Sequence, residues 1–108
     1  MNKEIKEEWL AALKSGEYKK GIGMLRSGDD RYCCLGVLCD LHNKKQEVNG
    51  WVAHKIVDET KYSYHCSVGY SPLAVQEWSD LKTMITLTKL NDSSDTFDKV
   101  IEYIEKQL

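Results

Sequence analysis

The run from Tyr18 to Leu41, YKKGIGMLRSGDDRYCCLGVLCDL, constrains the fold of this chain more than any other. It opens with Lys19-Lys20-Gly21-Ile22-Gly23-Met24-Leu25-Arg26, which is basic, glycine-bearing and free of acids. Ser27-Gly28-Asp29-Asp30 follows, and such residues favour turns: glycine accepts positive φ, and short polar side chains bond to nearby backbone. Tyr32 to Leu41 is then the most apolar stretch of the protein. The pattern predicts a strand over Tyr18–Arg26, a short return strand over Arg31–Cys33 making a hairpin, and a buried helix from Cys34. Gly36 in that helix leaves room for another backbone or a ligand to come close.

At 108 residues the chain can bury one hydrophobic core but not two. Its 42% apolar and 30% charged residues are ordinary for a globular protein. A net charge of −2 argues against a protein that coats nucleic acid by charge. No segment approaches the roughly 18 consecutive apolar residues of a membrane span, and Asn2–Glu8 is charged where a secretory leader is apolar. The expected location is the cytoplasm, with neither membrane nor nucleic acid as partner. Thiols stay reduced there, so Cys33, Cys34, Cys39 and Cys66 are not read as a disulfide framework, and most of them read as small buried residues.

Along the rest of the chain, residues 2–15 form a helix capped by Asn2 and stopped by Gly16, with Ile5, Trp9, Ala12 and Leu13 on one face. Val52–Val57 and Lys61–Val68 are β-branched and aromatic enough to pair around Asp58-Glu59-Thr60. Ser71 and Pro72 open a short helix holding Leu73, Glu77 and Trp78. Leu87–Asn91 forms a helical turn, and the last helix starts near Asp95 with Phe97, Val100, Ile101, Ile104 and Leu108 as its core stripe. The acidic run from Asn91 to Asp98 lacks the glycine and closing glutamate of a calcium loop and reads as helix capping. The expected architecture is α+β in one small domain over residues 1–108: terminal helices and a buried cysteine-rich helix packed on short antiparallel hairpins.

Three constellations carry candidate chemistry. Cys39 and His42, one helical turn apart, could join His65 and Cys66 around zinc. That set competes with buried thiols, and adjacent strand residues point to opposite faces. Cys33 or Cys34 could act as a nucleophile with a histidine base and Asp40 as orienting acid, although no spacing selects a triad. The third is the basic glycine strand. Gly21 and Gly23 let backbone N–H groups approach a ligand, and in an extended chain Lys20 and Arg26 share a face and could bracket phosphate. It is not a Walker loop, and no cofactor or metal is expected there. A solvated basic edge that deters strand aggregation is the competing reading. Tyr32, Trp51 and Tyr64 are candidates to stack on a planar base, whereas Trp9 and Trp78 are expected in the core.

Taken together, Ala12-Leu13-Lys14-Ser15-Gly16-Glu17-Tyr18, the glycine-basic strand, Cys33-Cys34-Leu35-Gly36-Val37-Leu38-Cys39-Asp40, the set Pro72, Val75 and Trp78, and Leu90-Asn91-Asp92 resemble a family of small uncharacterised phage and prophage proteins. The chain departs from it at Asp80 and Ser94, where the family usually carries glycine. The resemblance implies an accessory phage protein in the host cytoplasm. Such proteins often counter host defence, and one route is to sequester a nucleotide signal.

The expectation is therefore a non-enzymatic protein that binds a small anionic nucleotide-like ligand. Lys20, Arg26 and Arg31 would hold phosphate, Gly21 and Gly23 would approach it, and Tyr32, Trp51 and Tyr64 would stack on the base. So short a chain buries little ligand alone, which points to a homo-oligomer. The alternative is a protein that masks a host enzyme by surface complementarity, and after it a thiol or zinc enzyme.

Overall fold

The computed structural model describes the backbone of residues 1–108 and every side chain except that of Ile56. The first helix, α1 (Lys3–Lys14), begins where expected because Asn2 Oδ1 accepts from Ile5 N–H at 3.1 Å. Gly16, at φ +78°, turns the chain after it. Ile5, Trp9 and Leu13 bury one face of α1 against the rest of the core. The Trp9 indole N–H also donates to the Cys34 carbonyl at 2.9 Å, fastening α1 to the next helix.

The glycine-basic segment departs from the hairpin expected of it. Strand β1 is only Lys19–Lys20, and it runs parallel to β2 (Arg31–Tyr32). Gly21 lies against Arg31, and Gly23 at φ +77° turns the chain, so residues 22–25 leave the strand pairing. The chain returns at Arg26, which bridges Tyr32 from the other side in antiparallel sense. The Ser27–Asp30 turn itself forms, with Asp30 N–H donating to Ser27 O at 3.0 Å and Ser27 N–H to Arg31 O at 2.9 Å. Lys20 and Arg26 therefore do not share the face of one extended strand.

Helix α2 (Cys34–Lys44) is the central element, with Cys34 to Cys39 buried without a break. Its N-cap is Cys33, whose Sγ accepts from Gly36 N–H at 3.4 Å. Gly36 admits another backbone: a Cβ there would overlap the Leu25 carbonyl oxygen and lie 2.6 Å from its carbon. The second sheet pairs β3 (Trp51–Ile56) with β4 (Glu59–Tyr64) antiparallel, Trp51 opposite Tyr64. Its turn is Val57-Asp58 rather than residues 58–60, and Val57 takes φ +58°.

Helix α3 (Leu73–Ser79) follows Pro72 with no side-chain cap; the Ser71 hydroxyl instead accepts from the Cys39 thiol at 3.9 Å. Asp80 ends α3 in the left-handed region at φ +55°, a conformation that favours glycine. Helix α4 (Ile85–Asp92) is longer than the single turn expected, and α5 (Asp98–Gln107) starts three residues later than Asp95. Val100 and Ile104 of the predicted stripe are fully buried. Asn91 and Asp92 do not cap the helix that follows them. Asn91 Oδ1 accepts from Cys34 N–H at 3.0 Å and its Nδ2 donates to Gly21 O at 2.9 Å, joining α4, α2 and the glycine loop. The result is α+β, with one core whose 13.0 Å radius of gyration matches the ~13 Å of a folded chain this long.

Candidate functional site

The structure separates the residues that the sequence groups as a phosphate site. Lys20 Nζ donates to the Ser94 carbonyl. Arg31 pairs with Asp29 at 2.9 Å on the exposed turn. Gly21 N–H donates to Tyr32 O at 2.7 Å and Gly23 N–H to Asp92 Oδ1 at 3.3 Å, so neither amide faces a ligand. Tyr64 is fully buried, its hydroxyl 2.7 Å from His42 Nδ1, and cannot stack on a base. Trp51 is nearly buried as well, with its indole N–H donating to Asp40 Oδ1 at 3.0 Å.

Arg26, Tyr32 and Trp51 do come together. The Arg26 guanidinium lies 3.9 Å from the ring centre of Tyr62, with Trp51 at 5.4 Å and Tyr32 at 5.5 Å, and pairs with Asp30 at 2.7 Å. A planar cation over aromatic faces gains from the ring quadrupoles, most where water is excluded. This cage is filled by the chain's own arginine and offers no open phosphate contact.

Beside it opens a cavity of about 450 Å³. Tyr18 and Tyr32 form its aromatic walls, with their rings 5.1 Å apart and nearly perpendicular. Asp40, projecting from α2 just after the buried Cys39, ties the Tyr18 wall to Trp51: its Oδ2 accepts from the Tyr18 hydroxyl at 2.6 Å and its Oδ1 from the Trp51 indole N–H. Lys44, one helical turn on, donates to the Tyr18 hydroxyl at 3.1 Å and sits 3.8 Å from Asp40. Burial and then the Asp40 carboxylate hold the Tyr18 phenol far above its ordinary value, and burial pushes Tyr32 up to about 12. Both rings are therefore neutral hydrogen-bonding walls at physiological pH. Charged side chains complete the lining: Glu17, Asp29, Asp30 and Lys19. Tyr18, Asp40 and Lys44 escape the sequence reading as ligand-site residues. The i,i+4 pair Asp40–Lys44 at the polar end of a buried helix is the signal that could have found them.

The thiol and zinc sets do not assemble. Burial pushes the Cys33 thiol up to about 11, and raises Cys34 and Cys39 as well, so these three are not thiolates at neutral pH. Cys39 faces Ser71, while the His42 ring lies against Tyr64, Trp78 and His65. Among the described residues no three of His, Cys, Asp or Glu converge on a common metal position. No helix among them is long and apolar enough to cross a membrane.

A family model described as a domain of unknown function, DUF8296, matches residues 1–84, and the chain belongs to that family. The matched span holds every residue of the tyrosine cavity, whereas α5 lies beyond it. No curated protein and no solved structure matches the chain.

Proposed function

We propose that this member of the DUF8296 family is a non-catalytic binding protein that sequesters a small nucleotide-like molecule in the cavity lined by Tyr18 and Tyr32. The observation that carries the reading is that cavity of about 450 Å³, with aromatic walls, a fixed carboxylate at Asp40 and ammonium groups at Lys19 and Lys44. Such a combination suits a ring to stack and polar edges to hydrogen-bond, and its volume lies in the range of small-molecule sites. The likeness of Cys33–Asp40 to phage proteins supports an accessory role against host defence. Because the cavity is open at Glu17 and Lys19, a second copy closing over it belongs to the same proposal, and sedimentation with and without ligand tests that part.

Titration calorimetry with a panel of nucleosides, cyclic nucleotides and ADP-ribose-type compounds tests the reading. A saturable heat from at least one compound, recovered unchanged from the denatured complex, is the expected result. No heat from any of them would contradict it.

A different patch supports masking of a host protein. Tyr70, Leu73 and Ile85 expose 50%, 66% and 63% of their surface, and Tyr70 and Ile85 flank an apolar hollow with Met84. Large exposed apolar groups close together mark interaction surfaces. On this reading Leu73→Glu and Ile85→Glu abolish activity while Tyr32→Ala leaves it intact; the reverse pattern favours the cavity.

A further inference from the structure

We infer that the tyrosine cavity selects a ring that donates hydrogen bonds and carries at most one phosphate, namely a guanine-type nucleoside or its monophosphate. The inference rests on the reading of that cavity as the ligand seat. It follows from counting which polar groups the chain has already committed. Among the cations of this region, Lys20 is spent on Ser94, Arg26 on Asp30 and Arg31 on Asp29. Lys44 is shared between Tyr18 and Asp40. Lys19 is the one lining cation with neither a side-chain hydrogen bond nor an ion pair among the described residues. A first phosphate can meet Lys19. A second or third would meet Asp29 and Asp30, whose charges their own arginines already balance.

The acceptors are in surplus by comparison. Both Arg26 contacts fall on Asp30 Oδ1, leaving Oδ2 without a partner, and the Glu17 carboxylate forms no hydrogen bond or ion pair among the described residues. A carboxylate offers two acceptor oxygens and, when ionised, no donor. The complementary base edge is one with adjacent N–H donors, which guanine presents through its ring N–H and exocyclic amine. The Tyr18 and Tyr32 rings supply aromatic contact, which any ring exploits, so selectivity falls to the polar edge.

Calorimetric titration of the intact protein with guanosine, GMP, GTP and inosine separates the outcomes. GMP is expected to bind at least as well as guanosine, and GTP no tighter than GMP. Inosine, lacking the exocyclic amine, is expected to bind on the order of tenfold more weakly than guanosine, since a missing donor leaves a carboxylate oxygen unpaired. Lys19→Ala, at an exposed position, should bring GMP down to the level of guanosine. Affinity that climbs from guanosine to GTP, or inosine equal to guanosine, overturns the ligand class while the cavity stands. Silence from every nucleoside and nucleotide removes the class and the ligand seat together.

Discussion

Asn91 holds three parts of the chain with one side-chain amide, and it is fully buried. Its oxygen satisfies the first N–H of α2 and its nitrogen satisfies the Gly21 carbonyl. Asn91→Ala strands both groups, at roughly 1–3 kcal/mol for each buried partner left unpaired. The expected loss in denaturant unfolding is about 2–4 kcal/mol, with Asn91→Asp intermediate because it keeps the acceptor. A loss below about 1 kcal/mol, the worth of a single ordinary hydrogen bond, would show that the tether is idle. Asp80 makes the opposite kind of statement. Its left-handed φ of +55° is costly for a side chain with a branched β-carbon. Asp80→Gly should be tolerated and Asp80→Val should cost about 1–2 kcal/mol; equal melting temperatures would contradict the assignment.

At the scale of elements, the helices with a long apolar stripe are legible in the sequence. Ile5-Trp9-Leu13 and Val100-Ile104 repeat at helical spacing, and the first half of α2 is apolar enough to be buried all round. The parallel contact of β1 with β2 is not legible, because two residues carry no period and Gly21 and Gly23 permit either a strand or a loop. The end of α2 carries its own prediction. The His42 imidazole is held below its ordinary value by burial and then by the neighbouring His65, and it packs on Tyr64, Gln46 and Trp78. The folded chain thus takes up this proton at lower pH than the unfolded chain, whose value is about 6.5. Between those two values the unfolded state binds more protons, so stability falls as pH drops through that window. Denaturation midpoints measured from about pH 8 to about pH 5 should decline on acidification, with a shallower decline in His42→Gln. Parallel declines in both proteins would place the effect elsewhere.

For the whole molecule, charge is readable as a total but not as a set of pairs. The basic stretch looks like a phosphate site because Ser94, which takes Lys20, lies far along the chain, and because Asp29 and Asp30 read as turn residues before they read as counter-ions. Tyr32 lines the cavity, Trp51 donates to the Asp40 that borders it, Tyr64 lies in the core, and Asp40, in the sequence a candidate orienter of a thiol, holds the Tyr18 hydroxyl. The fold turns a basic ribbon into a cavity of mixed charge, and that conversion is the centre of the account. Its most direct test is an NMR titration of the protein carrying ¹³C-labelled tyrosine rings with GMP. The account predicts saturable shifts at the Tyr18 and Tyr32 rings while Tyr70 and Tyr103 stay still. Shifts confined to Tyr70, or none at any ring, would contradict it.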